Sequence, residues 1–528
     1  MQLANRPQLA RRNRRLSVRS NSMLRHPAVA VLLAALSMSC AAQSSNEIPA
    51  AGDGDTKAAL QALQSEIHEL KSMVLQLQQE TVSSRAEIKS LREELAVEHS
   101  NAASGPAVDQ ESPVAVQQRL EHLEEDQQLL SEKLDTQYQT KVESASKYRI
   151  RLSGIVLFNL FGNSGSVDNQ DVPGWATPHD PMDTNGSVGG TLRQSIIGLE
   201  AFGPDFLGAR TSANVNFDFG GGFPGVYNGV DSGLVRLRTA SVRLDWKDTS
   251  VVAGQDTLFI APFSPTSFAS LIVPPLSYAG NLWVWTPQLR VEHRFELSEG
   301  SKVTVQGGFL DPGTGQPPDD GYYTYYRTPG AGEQTRQPAY AGRVAYSHPM
   351  FGQTFTVGAA GYYSRQNWGY DRIVNGWAGM MDANLPLGRL FTLSGAFYRG
   401  AAIGGIGGAL GRSVVYNGPL YSPGTEVNPL NTVGGWAQLK YRATPKLEFN
   451  GAFGQDSPFA ADVRYFGSQS ESYAPAYYTA NRSAFGNVIY RPRSDLLFAA
   501  EYRRLRSFTI YDNSYEAGQV NMSVGVLF

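Results

Sequence analysis

The sequence predicts an all-β transmembrane barrel of about sixteen antiparallel strands, preceded by an α-helical coiled coil. Three observations carry this. From residue 147 onward apolar residues recur with a period of two, and no helix-period segment follows that could cover such strands. The connections between the strands alternate between brief turns and long, irregular loops. Ahead of the strands, apolar residues keep an alternating three-and-four spacing over about five heptads.

Composition fits this class and excludes others. The 528 residues include 54 Gly, 25 Tyr and 24 Phe, which favour strands, tight turns and aromatic surfaces. Mean hydropathy is -0.28, and past the N-terminus there is no apolar run long enough for a membrane helix. A net charge of -3 carries no nucleic-acid footprint.

Residues 1–42 form a signal-peptide region. In "MLRHPAVAVLLAALSMSCAAQ" a basic start (Arg25, His26) precedes an apolar core and small residues, with a cut expected after Ala42. Met23 is the expected true start, since the Arg-rich stretch before it adds nothing such a leader needs. Cys40, the single cysteine, is either removed with the leader or lipid-anchored. Ser37, three residues before it, favours removal, and disulfides then have no part in the mature chain.

Residues 57–99 read as a coiled coil. Leu60, Ile67, Val74, Thr81, Ile88 and Leu95 form one register, and Leu63, Leu70, Leu77, Ser84 and Leu91 the other. With these as a and d, Glu66–Lys71, Glu80–Arg85 and Glu87–Arg92 fall where parallel helices place interchain ion pairs. Ile and Val at a with Leu at d favour two strands, and Thr81 and Ser84 soften that preference. Residues 100–115 are a linker broken by Gly105, Pro106 and Pro113. Residues 116–142 carry a weaker seam, Val116, Leu120, Leu123, Leu130 and Leu134, with Gln127 and Gln137 at core positions.

Residues 147–528 are the barrel. Strands are expected near 147–163, 191–203, 209–219, 234–246, 250–260, 286–297, 302–310, 338–347, 353–365, 371–385, 389–399, 432–443, 446–456, 480–491, 495–507 and 517–528. In "QLRVEHRFEL", Leu289, Val291, Phe295 and Leu297 oppose Arg290, Glu292, Arg294 and Glu296. After even-numbered strands come turns such as "KDT", "PLG" and "RPRS". After odd-numbered strands come loops such as 164–190, 261–285, 311–337, 400–431 and 457–479, with short exceptions near Trp368 and Asp512. A soluble sandwich has no reason to segregate loop lengths in this way, whereas a membrane barrel does. Trp246, Tyr346, Tyr441, Tyr490 and Tyr502 are expected in an aromatic girdle near strand ends.

A barrel of sixteen strands is too wide for side chains to fill, so an aqueous channel is expected. The final strand, "AGQVNMSVGVLF", alternates apolar residues up to Phe528 and should close the barrel against "YRIRLSGIVLFNLF". From residue 148 onward Arg outnumbers Lys 25 to 4, and guanidinium suits carboxylates. Inward alternation selects Arg193, Arg210, Arg243, Arg290, Glu292, Arg294, Arg343 and Arg442 as pore-lining candidates, Arg193 lying on a poorly alternating strand. Either they bias the lumen toward anions, or they ladder with Glu200, Asp218, Asp245, Glu292 and Glu296 as a polar wall. His293 shares the lipid face of Val291 and Phe295, His348 lies in a turn and His179 in a loop. No catalytic triad or metal-ligand spacing emerges, and no enzyme activity, metal or cofactor is expected.

With a helical extension before sixteen strands, the chain resembles trimeric outer-membrane porins, the DcaP-like porins in particular. That resemblance implies a homotrimer in outer-membrane lipid with its coiled coil in the periplasm, and a channel for small hydrophilic solutes, among them small organic acids. It also implies that Phe528, Val526 and Val524 form the signal read by the barrel-assembly machinery. The loop after strand five folds into the lumen in such porins, which makes Ala261–Trp285 the constriction, with Phe263, Phe268, Tyr278, Trp283 and Trp285 its aromatic residues. This loop has four prolines and no charged residue, a departure from the acidic loops of general porins. The contrasting expectation is a structural tether, whose coiled coil contacts peptidoglycan or a periplasmic partner.

Overall fold

The computed structural model describes residues 149–528, apart from 183, 224–232, 317–326, 467–476 and 512. The expected leader, coiled coil, linker and second helical segment lie outside the described residues.

Seventeen strands form one closed antiparallel sheet. They are β1 (Arg149–Ser164), β2 (Gly186–Thr191), β3 (Ile196–Phe202), β4 (Arg210–Asp218), β5 (Arg236–Asp245), β6 (Thr249–Thr257), β7 (Trp285–Glu296), β8 (Lys302–Leu310), β9 (Ala339–Met350), β10 (Gln353–Asn367), β11 (Ile373–Leu387), β12 (Phe391–Ala401), β15 (Asn431–Thr444), β16 (Leu447–Pro458), β17 (Tyr478–Arg493), β18 (Leu496–Thr509) and β19 (Ser514–Leu527). β13 (Val414–Tyr416) and β14 (Val427–Pro429) pair separately in a loop, and a short helix, α1 (Ala460–Phe466), occupies another. Both loops were expected to be irregular.

β2 and β3 pair successive halves of β1, so together they make one stave of a sixteen-stave barrel. The second strand was expected to run unbroken over 191–203. It is interrupted between Thr191 and Ile196, where Ser195 Oγ accepts the Leu157 N–H at 3.0 Å and replaces a ladder bond. β19 returns to pair with β1 from Leu527↔Ile155 to Gly518↔Ser164, which leaves no free edge among the described strands of this sheet. The Phe528 carbonyl and amide exchange hydrogen bonds with Gly154. A β-carbon at Gly154 would lie 2.4 Å from the Ile196 carbonyl oxygen, so this corner needs glycine.

Burial is inverted relative to a soluble sheet. Along β19, Met522 is 56% exposed while its neighbour Asn521 is 1% exposed. Val520, Val524 and Val526 point outward beside Met522, and Gln519 and Ser523 point inward. An apolar exterior with a polar interior suits a lipid surround. Connections at one rim are short, as between β9 and β10 or β11 and β12, and those at the other are mostly long, in the alternation the sequence predicts.

At the short-turn rim Tyr441 stacks between Phe391 and Phe449, with ring centroids 4.7 and 6.1 Å away. Tyr346 and Tyr490 are exposed there, and Trp246 donates to the Leu207 carbonyl at 3.0 Å. Tyr502 departs from the girdle expectation: it lies at mid-height, in register with Val520 and Gly486. Nearer the long-loop rim, Phe309, Tyr340, Tyr363 and Trp377 stand in direct register on four adjacent strands and form an aromatic row. His348 falls within β9 rather than in a turn, because β9 runs on to Met350.

Candidate functional site: a neutral loop folded across the lumen

The connection between β6 and β7 does not lie on the surface. Its Thr266 N–H donates to Gln438 Oε1 of β15 at 2.6 Å, and Asn487 Nδ2 of β17 donates to the Thr266 carbonyl at 2.8 Å. Asn159 Nδ2 of β1 donates to the Phe268 carbonyl at 2.8 Å. None of these strands neighbours β6 or β7, so the segment crosses the interior.

The loop then meets Gln194, in the break between β2 and β3. Gln194 Nε2 donates to the Ala269 carbonyl at 3.0 Å, and its Oε1 accepts the N–H groups of Leu271 and Ile272 at 2.6 and 3.0 Å. Arg238 and Arg236 of β5 donate to the carbonyls of Leu271 and Ile272 at 2.8 and 2.5 Å. Turning back, the loop is held by Asn481 of β17, which donates to the Tyr278 carbonyl at 2.9 Å. Gly280, at φ +96°, presses onto β15 and β16; a β-carbon there would lie 2.1 Å from the Gly435 carbonyl oxygen. Leu276 and Tyr278 also take left-handed backbone, at φ 59° and 58°. Such conformations persist only where surrounding contacts over-determine them.

A loop without charges can be gripped through its backbone alone, and the wall supplies amide side chains to do so. Asn159, Gln194, Gln438, Asn481 and Asn487 satisfy loop carbonyls and N–H groups that would otherwise be orphaned. The sequence reading did not single them out. The available signal was amides, in place of charges, at inward positions.

The five aromatic candidates take distinct places. Phe263 packs near Trp436, Leu276 and Ala279, and Phe268 near Ile155, Leu157 and Leu497 of the wall. Trp283 and Trp285 meet edge to face at 5.2 Å, and Trp285 carries Arg238 and Arg236 on its ring at 4.5 and 4.8 Å. Tyr278 meets Trp175 of the first long loop at 5.3 Å. That loop also reaches inward. Asp168 Oδ1 accepts the N–H groups of Gly174 and Trp175, and Asn481 bridges Gly174 to Tyr278. Desolvation by the surrounding loops pushes the Asp168 carboxyl up to about 6 against the two N–H bonds that favour its ionised form, although the residue is exposed along part of its surface to solvent.

The wall arginines divide into pairs rather than one strip. Arg243 binds Asp245 at 2.8 Å and Glu292 at 3.2 Å, and Arg294 binds Glu292 at 2.9 Å, two cations against two carboxylates. Arg290 turns instead to Asp256 at 2.8 Å. Arg343 grips both oxygens of Asp382 at 3.0 and 2.6 Å. Arg193 lies in the β2–β3 break, bound to Asp171 at 2.7 Å. Arg210 stands exposed at the short-turn end of β4, in register with Asp245. Arg442, at the mouth of β15, is 3.7 Å from Glu448.

Part of the interior is not aqueous. On β8–β12, Leu310, Tyr362, Ala378, Met380 and Tyr398 face inward and pack with Leu282 of the crossing loop and Ile403 and Ile406 of the loop after β12. The polar inner wall expected from alternation therefore gives way to an apolar core near the long-loop rim. Below the crossing loop a cavity of about 310 Å³ remains, lined by Thr266, Asn384, Thr392, Gln438, Lys440 and Arg442 among others.

No protein-family model and no curated protein sequence matches the chain. Solved structures do. The outer membrane channel DcaP of Acinetobacter baumannii is similar at 16% identity and a TM-score of 0.54, covering 74% of this chain and all of that one. An anion-selective porin from Comamonas acidovorans aligns at 11% identity and 0.43, over 72% of this chain and all of that one. OprB of Pseudomonas putida aligns at 12% and 0.44, over 72% and 94%. The described part of the chain thus has the fold of the DcaP channel, a closed antiparallel barrel of sixteen staves.

Proposed function

We propose that the protein is an outer-membrane channel of the porin type, which lets small hydrophilic solutes diffuse passively and modestly favours small anions, carboxylates included. The observation that carries this is the uncharged loop gripped across the interior of an inside-out barrel. A fixed constriction narrows the lumen without supplying a field, so selectivity falls to the wall. The chain assembles as a homotrimer whose coiled coil lies in the periplasm, and Val524, Val526 and Phe528 are read by the barrel-assembly machinery. The interchain-type charge pairs of the heptads and the exposed, alternating end of β19 support these two readings. Planar-bilayer recording of the purified protein is the test: a large ohmic conductance is expected.

The apolar core formed by Leu310, Tyr362, Met380 and Tyr398 with the loops favours a second reading, in which the barrel is closed and serves as an anchor for a tethering stalk. A folded barrel that conducts nothing would establish that reading instead.

A further inference from the structure

Three cations gather near one carboxylate on the inner wall of β15–β17, and two of them pair with it. Lys440 and Arg442 lie two apart on the inward face of β15, and register sets Arg442 opposite Glu448 of β16. Lys440 Nζ is 3.3 Å from Glu448 Oε1, and Arg442 Nε is 3.7 Å from Oε2. Asn450 Nδ2 also donates to Oε1, at 2.9 Å, so this carboxylate is already shared among several donors. Arg491 follows Ile489 on the inward face of β17, and Ile489 is in register with Glu448. Its guanidinium lies 5.6 Å from the Phe268 ring of the crossing loop, and it feels the Glu448 charge only at longer range. Three cations against one carboxylate leave two positive charges in excess.

Among the described residues, no other inner-wall group has this combination of excess and access. The Arg243 cluster, Arg290, Arg343 and Arg503 balance against their carboxylates. Arg236 and Arg238 share Asp218, but loop carbonyls and the Trp285 ring occupy them. Lys440 and Arg442 instead line the polar cavity under the loop, where Asn384, Thr392 and Gln438 add neutral hydrogen-bonding groups.

We propose that this cavity is a resting site for a small oxyanion, carboxylate or phosphate, on the short-turn side of the constriction, and that Lys440, Arg442 and Arg491 set the charge preference of the pore. The assignment rests on the channel reading. Guanidinium forks match either oxyanion, a cation over Phe268 is held in place without a countercharge, and a narrow low-dielectric wall focuses the surplus field.

The test uses the full chain in planar bilayers and in detergent. Across a KCl gradient the wild type should prefer chloride. Lys440→Gln/Arg442→Gln/Arg491→Gln should lower the chloride-to-potassium permeability ratio by roughly twofold or more. The single change Arg491→Gln, at a position with no ion pair among the described residues, should give a smaller shift of the same sign, and the outward Arg504→Gln none. Block of the current by inorganic phosphate alone would assign phosphate, by malonate alone carboxylate, and by both the shared chemistry; each block should vanish in the triple variant. Phosphate line broadening in ³¹P NMR of the detergent-solubilised protein reads the same site without any current. A silent wild type that still broadens the phosphate line would remove the channel reading and keep the site. Conducting variants with unchanged reversal potential and block, or a wild type that neither is blocked nor broadens the line, would overturn the proposal.

Discussion

Gln194 is the strongest single grip on the crossing loop, and replacing it with Met isolates that role. The side chain is fully buried and makes three hydrogen bonds, all to loop backbone. Met fills a similar volume but offers no strong donor or acceptor. The Ala269 carbonyl and the Leu271 and Ile272 N–H groups would lose their partner, at a net cost of about 1 kcal/mol each. The sum, about 3 kcal/mol, favours release of the loop by on the order of a hundredfold. The barrel ladder should not suffer, because β2 and β3 pair with β1 through backbone on either side of the break. Single-channel recording should therefore show a larger mean conductance and more open-channel noise, with unchanged heat-modifiable mobility of the folded barrel. Gln194→Glu keeps an acceptor for the two N–H groups and loses the donor, so it should fall between. A folded Gln194→Met barrel with wild-type conductance and noise would refute the idea that this side chain holds the constriction.

Three further outcomes follow from the same geometry. Gly280→Val forces a β-carbon against two backbone carbonyls, 2.1 Å from that of Gly435 and 2.6 Å from that of Gln455, so the loop should leave its seat; chymotrypsin should then nick at loop aromatics that resist cleavage in the wild type, and equal resistance would count against the seating. Asp168 has a folded-state pKa raised from 3.8 to about 6, so its contribution to the first loop is fully present below 3.8 and lost as pH rises through about 6. Acidification from about pH 7.5 to about pH 4.5 should quiet the channel, and Asp168→Asn should abolish that dependence; a variant that keeps it would place the titration elsewhere. Native mass spectrometry of the detergent-solubilised protein should give three chains, and a two-chain mass would restore the dimer that Ile and Val at heptad a positions favour.

The barrel was legible because its two signals are one-dimensional. Period-two alternation and alternating loop length need no knowledge of which strand meets which. The break between Thr191 and Ile196 was not legible, since what stabilises it is a distant loop that collects Gln194 and Arg238 in space. Asn159, Asn481 and Asn487 look like any inward polar residue until their loop partners arrive. The arginine pairs were half legible. Asp245 and Glu292 lie within two residues of Arg243 and Arg294, but Asp256 and Asp382 reach Arg290 and Arg343 only across strands. Arg491 was not legible, since its place beside Phe268 of the crossing loop and near Glu448 exists only in space. The apolar interior did leave a trace: "GWAGMM" in β11 is apolar on both faces, the mark of a strand covered on both sides.

That trace bears on how the pore would select. Where Tyr362, Met380 and Tyr398 pack under Ile403 and Ile406, water is excluded from one side of the interior, and the crossing loop adds a further uncharged surface. Low-dielectric walls strengthen whatever charge remains in the wetted part. In a fully aqueous lumen two surplus cations would be screened within about 8 Å at physiological salt. Set in a polar cavity beneath an uncharged loop, Lys440 and Arg442 would act on an ion that has fewer water molecules around it and fewer ways past them. A neutral constriction and a partly dry barrel therefore do not argue against charge selectivity. They are the conditions under which a few unbalanced side chains suffice for it.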